Sequence, residues 1–205
     1  MNRTLIYPLV TVLLSLCAQG QLGTGSYNES NRVYSNPAHS FSCKVPVGWV
    51  LRTEQMQPDA EAAKAGNQVL LAAFERPPEA TGPAPASTIL IASEPQSAYP
   101  ALKTAEDYFA PLAEVITAKG FQPVNDPYPF KIGARQILRQ DFSREEKPRP
   151  TTYQSTFVLL SHKAIVSFTF IAATEDEVDT LIENLSLSSI TPKSPPKTAP
   201  AKKIK

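Results

Sequence analysis

The sequence predicts an α+β fold, an α/β/α sandwich whose central, mainly antiparallel sheet has about six strands. Three observations predict it. Short stretches alternate apolar and polar side chains with the period of a half-buried strand, as in Phe41-Ser42-Cys43-Lys44-Val45. Late strands rich in β-branched and aromatic residues are separated by turns short enough for hairpins. Two amphipathic helical stretches, 104–119 and 174–185, each need a sheet face to cover.

The elements follow in order. Phe41, Cys43 and Val45 form the buried side of a first strand. Pro46 cannot donate to a ladder and suits the end of that strand, while Gly48 supplies the freedom a turn needs. Trp49 to Arg52 reads as the next strand, with Trp49 as a large core anchor. Residues 58–65 make a short helix between Pro58 and Gly66. Strands follow at 68–75 and 87–93, separated by the Pro-rich loop 77–86. In the helix 104–119, Thr104 is the expected N-cap and Gly120 the stop, and Pro111 predicts a kink or two abutting segments. Residues 130–142 read as one long strand, and 152–160 and 164–172 as a hairpin turning at Ser161-His162-Lys163. Thr174-Glu175-Asp176-Glu177 is a capping box opening the last helix, and 187–190 a final short strand.

The ends lie outside this domain. Arg3, the apolar run 5–16 and Ala18-Gln19-Gly20 describe a secretory signal at residues 1–20, cleaved between Gly20 and Gln21. The apolar run is shorter than the roughly 20 residues that a membrane helix needs. A second processing route overlaps it: Leu14-Ser15-Leu16-Cys17 is similar to a bacterial lipobox, in which Cys17 would be acylated, although Leu16 departs from the small residue preferred there. Either route leaves Cys43 without a disulfide partner, so burial and hydrogen bonding must supply the stability. Residues 21–32 read as a polar tether and 33–190 as the single domain. The tail 191–205 is rich in Pro and Lys and is expected to be disordered.

Charge bounds the partners. The chain carries 20 Lys+Arg and 19 Asp+Glu, but the tail holds Lys and no acid, so the folded body is mildly acidic. No nucleic-acid partner is expected of such a body. Contact with a membrane would come only through a lipid on Cys17 or through the basic tail. A monomer is expected.

The strand at Phe41, the Pro46-x-Gly48-Trp49 run, the capped central helix, the long late strands and the closing Leu187-Ser188-Ser189-Ile190 resemble the PsbP-like proteins. That family holds extrinsic subunits of photosystem II and many secreted bacterial proteins. The resemblance spans roughly residues 33–190 and implies an α/β/α sandwich about an antiparallel sheet. It implies a binding or assembly role more than an activity, and no metal-binding or photosystem-binding residue of the family maps onto this chain.

Motifs for chemistry are sparse. A serine hydrolase needs a nucleophile, a base and an orienting acid. Only His39 and His162 supply imidazoles, and no Gly-x-Ser-x-Gly elbow accompanies them. His162 falls in a hairpin turn and His39 just before a strand. Cys43, alternating with Phe41 and Val45, reads as a buried inert thiol rather than a nucleophile. There is no Cys-x-x-Cys, His-x-x-x-His or calcium loop, and no phosphate-binding glycine motif. No catalytic, cofactor-binding or metal-binding residue is therefore assigned, and no cofactor is expected. The mixed-charge run 139–150 reads as a strand end running into a solvated loop. The expected function is an exported, periplasmic or extracellular, non-enzymatic binding or assembly module with a protein or small-molecule partner in the cell envelope. Two alternatives stand beside it. One is a carrier holding a small ligand between helix and sheet. The other is a hydrolase with an unrecognised site, which predicts a cleft where His39 or His162 meets a carboxylate and a Ser or Cys.

Overall fold

The computed structural model describes residues 25–188, apart from 81, 83 and 146. The signal expected at 1–20 with Gly20, the adjoining Gln21, the lipidation candidate Cys17 and the tail 191–205 lie outside the described residues.

The architecture is α+β, with every strand pair antiparallel, but it holds two sheets rather than one of about six strands. The smaller sheet orders β1 (Ser26–Asn28), β2 (Val33–Asn36), β3 (Phe41–Lys44) and β12 (Leu185–Leu187) as β1-β2-β3-β12. The larger has eight strands: β4 (Val50–Leu51), β5 (Gln68–Phe74), β6 (Thr88–Pro95), β7 (Gln122–Pro123), β8 (Tyr128–Ile132), β9 (Arg135–Arg144), β10 (Thr152–Ser161) and β11 (Ala164–Ala172). Its order is β4-β5-β6-β11-β10-β9-β7, with β8 also paired to β9.

Four stretches raise the strand count, the first being Val33–Asn36, which carries no strand in the sequence reading and forms β2 by pairing with β3. Residues 26–28 lie in the stretch expected to be a tether, yet they pair with β2 and become β1. The strand expected over 130–142 is a hairpin, because Gly133 turns the chain at φ +59° and β8 folds back on β9. Short β7 carries no alternation that marks it as a strand, and it forms by docking on β9.

The best-paired region is the β10–β11 hairpin, whose register runs from Tyr153↔Ala172 to Ser161↔Ala164. The two-residue turn His162-Lys163 has φ +50° and +67°, the positive pair that a type I′ turn requires. Side chains then alternate between two faces. On one face Phe157, Phe168, Phe170, Ile89, Ile91 and Leu71 form the main core. This core is covered by the smaller sheet, through Tyr34, Phe41, Cys43 and Leu187, and by α3 (Glu175–Ile182), through Val178, Leu181 and Ile182. On the other face Val158, Ile165 and Phe142 pack beneath α2 (Phe109–Ala118). The helices thus lie on opposite faces, but one outer layer is helix and sheet together.

Local signals explain the helix ends. The Thr174 side chain accepts from Glu177 N–H at 3.2 Å, and Glu177 accepts in return from Ala173 N–H at 3.2 Å. Asp59 caps the short α1 (Ala60–Lys64) by accepting from Ala62 N–H. The expected helix 104–119 resolves into two abutting segments, a 3-10 turn at Glu106–Tyr108 and then α2. Pro111 sits in the first turn of α2, where its missing N–H costs nothing. Thr104 does not act as an acceptor cap; its N–H and hydroxyl donate to Asp107.

The strand expected at 49–52 shrinks to β4. Trp49 precedes it and packs against the main core only half-buried, so it is not the buried anchor expected. Pro46 and Gly48 do turn the chain, with Gly48 at φ +81°.

Candidate functional site

A groove of about 680 Å³ opens where the smaller sheet meets one end of the larger. Its walls come from distant parts of the chain. The end of β2 supplies Asn36, and the turn after it Ala38 and His39. The start of β5 supplies Gln68 and Leu70, and the end of β6 supplies Ser93 and Pro95. The β10–β11 turn adds His162 and Lys163, and the segment after β6 adds Gln96, Tyr99 and Leu102. Both histidines of the chain therefore line one cavity.

His39 is 6% exposed, and its Nδ1 is buried with no hydrogen-bond partner among the described residues. Asn36 holds the turn, its Oδ1 accepting from His39 N–H at 3.1 Å, while Asn36 Nδ2 donates to the Tyr34 hydroxyl at 3.3 Å. Burial lowers the pKa of His39, and the neighbouring His162 lowers it further, so the ring is neutral at pH 7. His162 and Lys163 are exposed at the rim, and Lys163 C=O accepts from Gln96 N–H at 2.8 Å. That bond ties the hairpin turn to the segment forming the opposite wall.

The Tyr99 wall is fixed from behind. Its ring meets Tyr108 edge-on at 5.1 Å, and both hydroxyls donate to Glu94. Burial and then the Glu94 carboxylate push the Tyr99 phenol up to about 12, so it stays protonated. Glu94 itself is not among the lining residues.

The cleft predicted by the hydrolase alternative is met only in part. His39, His162, Ser93 and Ser97 share the groove, but no carboxylate lines it. Among the described residues, no hydrogen bond joins either imidazole to a serine hydroxyl or an acid. Cys43 lies elsewhere, fully buried between β2 and β12, its thiol pushed up to about 12 by desolvation. Among the described residues no cluster of three or more His, Cys, Asp or Glu is placed to hold a metal. None of their helices is long and apolar enough to cross a membrane.

A second polar constellation lies on the α3 face of β9, in the run read as a strand end and solvated loop. Asp141 accepts from Arg139 Nε at 2.7 Å, the Tyr128 hydroxyl at 2.8 Å, Asn125 Nδ2 at 2.9 Å and the Ser155 hydroxyl. Desolvation alone would raise the Asp141 pKa, but these donors outweigh it and hold the carboxyl below its ordinary value. Arg139 also reaches Asp179 of α3 at 2.9 Å and lies over Phe130 and Phe157 at 5.0 and 5.7 Å. Arg139 and Asp141 are thus mostly buried, and their interactions latch α3 to the sheet. Opposite charges two residues apart in a strand share a face, which was the signal in the sequence. The partners at 125, 128, 155 and 179 gave none.

No family model matches the chain, and no curated protein matches it. Solved structures similar to it include LpqN of Mycobacterium tuberculosis, described as involved in cell envelope biogenesis. The identity is 17%, the coverage 73% of this chain and 83% of that one, and the TM-score 0.40. A Pseudomonas aeruginosa protein of unknown function, PA94, is 15% identical over 68% of this chain and 81% of that one, with a TM-score of 0.36. Cyanobacterial PsbP from Synechocystis sp. PCC 6803 is 13% identical over 85% of this chain and 98% of that one, with a TM-score of 0.46. The PsbP-like resemblance read from the residues thus has a solved PsbP among its structural matches. Likenesses this distant carry nothing about activity or partners.

Proposed function

We propose that this chain is an exported, non-enzymatic binding module that takes a small ligand in the groove between its two sheets. The single observation that carries the reading is the groove itself. Its volume of about 680 Å³ lies within the range of ligand pockets, and it combines apolar walls with a few convergent polar groups. A buried imidazole nitrogen left without a partner among the described residues is the kind of atom a ligand satisfies. The absence of a carboxylate among the lining residues favours binding over triad hydrolysis. Export rests on residues 1–20, and mass measurement of the mature protein distinguishes a start at Gln21 from an acylated Cys17.

Native mass spectrometry of protein freshly purified from the envelope fraction tests the reading. A bound small molecule, lost when Ala38→Trp fills the groove, is expected. Protein that is empty in every preparation, while crosslinking captures a protein partner away from the groove, would return the chain to the assembly class.

A further inference from the structure

The lining of the groove carries a charge asymmetry that limits what it can hold. The body of the chain is mildly acidic, yet among the described residues no Asp or Glu lines this cavity. Lys163 stands at its rim beside His162, the neutral Gln68 and Gln96 also line it, and Ser93 is buried within it. Glu94, the acid next in sequence to the groove, is turned away and engaged by the hydroxyls of Tyr99 and Tyr108. Leu70, Leu102 and Pro95 give the wall its apolar stretch.

We infer that the ligand is a small organic anion with an apolar body, its charged group at Lys163 and His162 and its body against Leu70, Leu102 and Pro95. This deepens the small-ligand reading and rests on it. The physical argument is complementarity. A cationic rim without a competing carboxylate favours an anion and disfavours a cation of the same shape. A Lys ammonium contributes a point charge on a flexible stem, so it suits a carboxylate, sulfonate or phosphate ester alike. The Lys163 backbone is held at φ +67° in the hairpin turn, and its carbonyl is bonded to Gln96, so the side chain starts from a fixed place. His39, buried and unpartnered at Nδ1, adds a hydrogen-bonding group to the wall rather than a charge.

A matched pair of dyes tests this. 1-Anilinonaphthalene-8-sulfonate carries one sulfonate, and N-phenyl-1-naphthylamine is the same skeleton without it. Fluorescence titrations of the whole mature protein at pH 7.5 compare the two. The sulfonate is expected to bind about fivefold tighter, the scale of one partly exposed charge-assisted contact. Lys163→Gln should abolish that preference without changing affinity for the neutral dye, and Ala38→Trp should weaken both. Thermal melts of each variant confirm that it is folded. If the neutral dye binds as tightly as the sulfonate, and Ala38→Trp weakens both, the anion assignment is overturned and the small-ligand reading stands. If neither dye responds to Ala38→Trp, both are overturned.

Discussion

Arg139 and Asp141 lie on the same face of β9, and the Arg139 Nε donates to Asp141 Oδ1 at 2.7 Å beneath α3. Their side chains are 11% and 18% exposed, so the pair is shielded far more than a surface ion pair. The same arginine carries on to Asp179, joining helix to sheet.

Asp141→Ala should therefore destabilise the fold by about 3 kcal/mol, because it removes the acceptor of four mostly buried donors, Arg139 Nε among them, and leaves Arg139 with Asp179 as its remaining carboxylate. The pH dependence follows from the lowered pKa of Asp141. The unfolded carboxyl binds its proton first, near pH ~3.9. The stability that this group contributes is fully present above that value and is lost as pH falls through the lower, folded value. Urea unfolding of wild type and Asp141→Ala should converge in strongly acidic buffer. Equal midpoints at neutral pH would show that the cluster contributes nothing.

His39 should titrate below its ordinary value of about 6.5, and His162→Asn should move it back upward. Because the folded state resists protonation, the unfolded state binds the extra proton, and stability falls as pH drops below the unfolded value. Following the imidazole C–H signals by NMR across pH 4–8 measures both midpoints. A His39 midpoint above that of an unstructured peptide would contradict the buried, neutral assignment.

Cys43 should resist iodoacetamide in the native protein at pH 8 and react fully once denatured. Its thiol has no solvent exposure, and a pKa of about 12 leaves almost no thiolate. Mass spectrometry counts the adducts; native labelling at the rate of a free thiol would place the residue outside the core.

Phe41→Ala should cost about 3–5 kcal/mol, since Phe41 is 3% exposed and meets Phe168 edge-on at 4.9 Å. Trp49→Ala should cost about 2 kcal/mol, because that ring is only half-buried against the core. Chemical denaturation ranks the two, and a larger loss for Trp49 would reverse the assignment.

Much of the secondary structure was legible because it is written in local chemistry. The alternation around Phe41 and Cys43, the Thr174 capping box and the β10–β11 hairpin all act within a few residues, and each stands where the sequence placed it. Tertiary pairing governed the misses. A strand as short as β1 or β7 has no stability of its own and exists because β2 or β9 offers an edge. In the run 130–142 Gly133 was the only local mark of a break, and it becomes a turn because β8 folds back to pair with β9. Trp49 was overrated because size and hydrophobicity set a residue's capacity for burial, whereas its depth depends on what packs over it.

By itself, the sequence determined an antiparallel α+β domain, the inert Cys43 and the lack of any compact catalytic or metal motif. Tertiary structure alone decided the division into two sheets, the latch from Arg139 to Asp179 and the meeting of His39 with His162. The reason is reach. Periodicity and capping are properties of neighbours along the chain, while the groove is made by a turn of one sheet docking against a turn of the other.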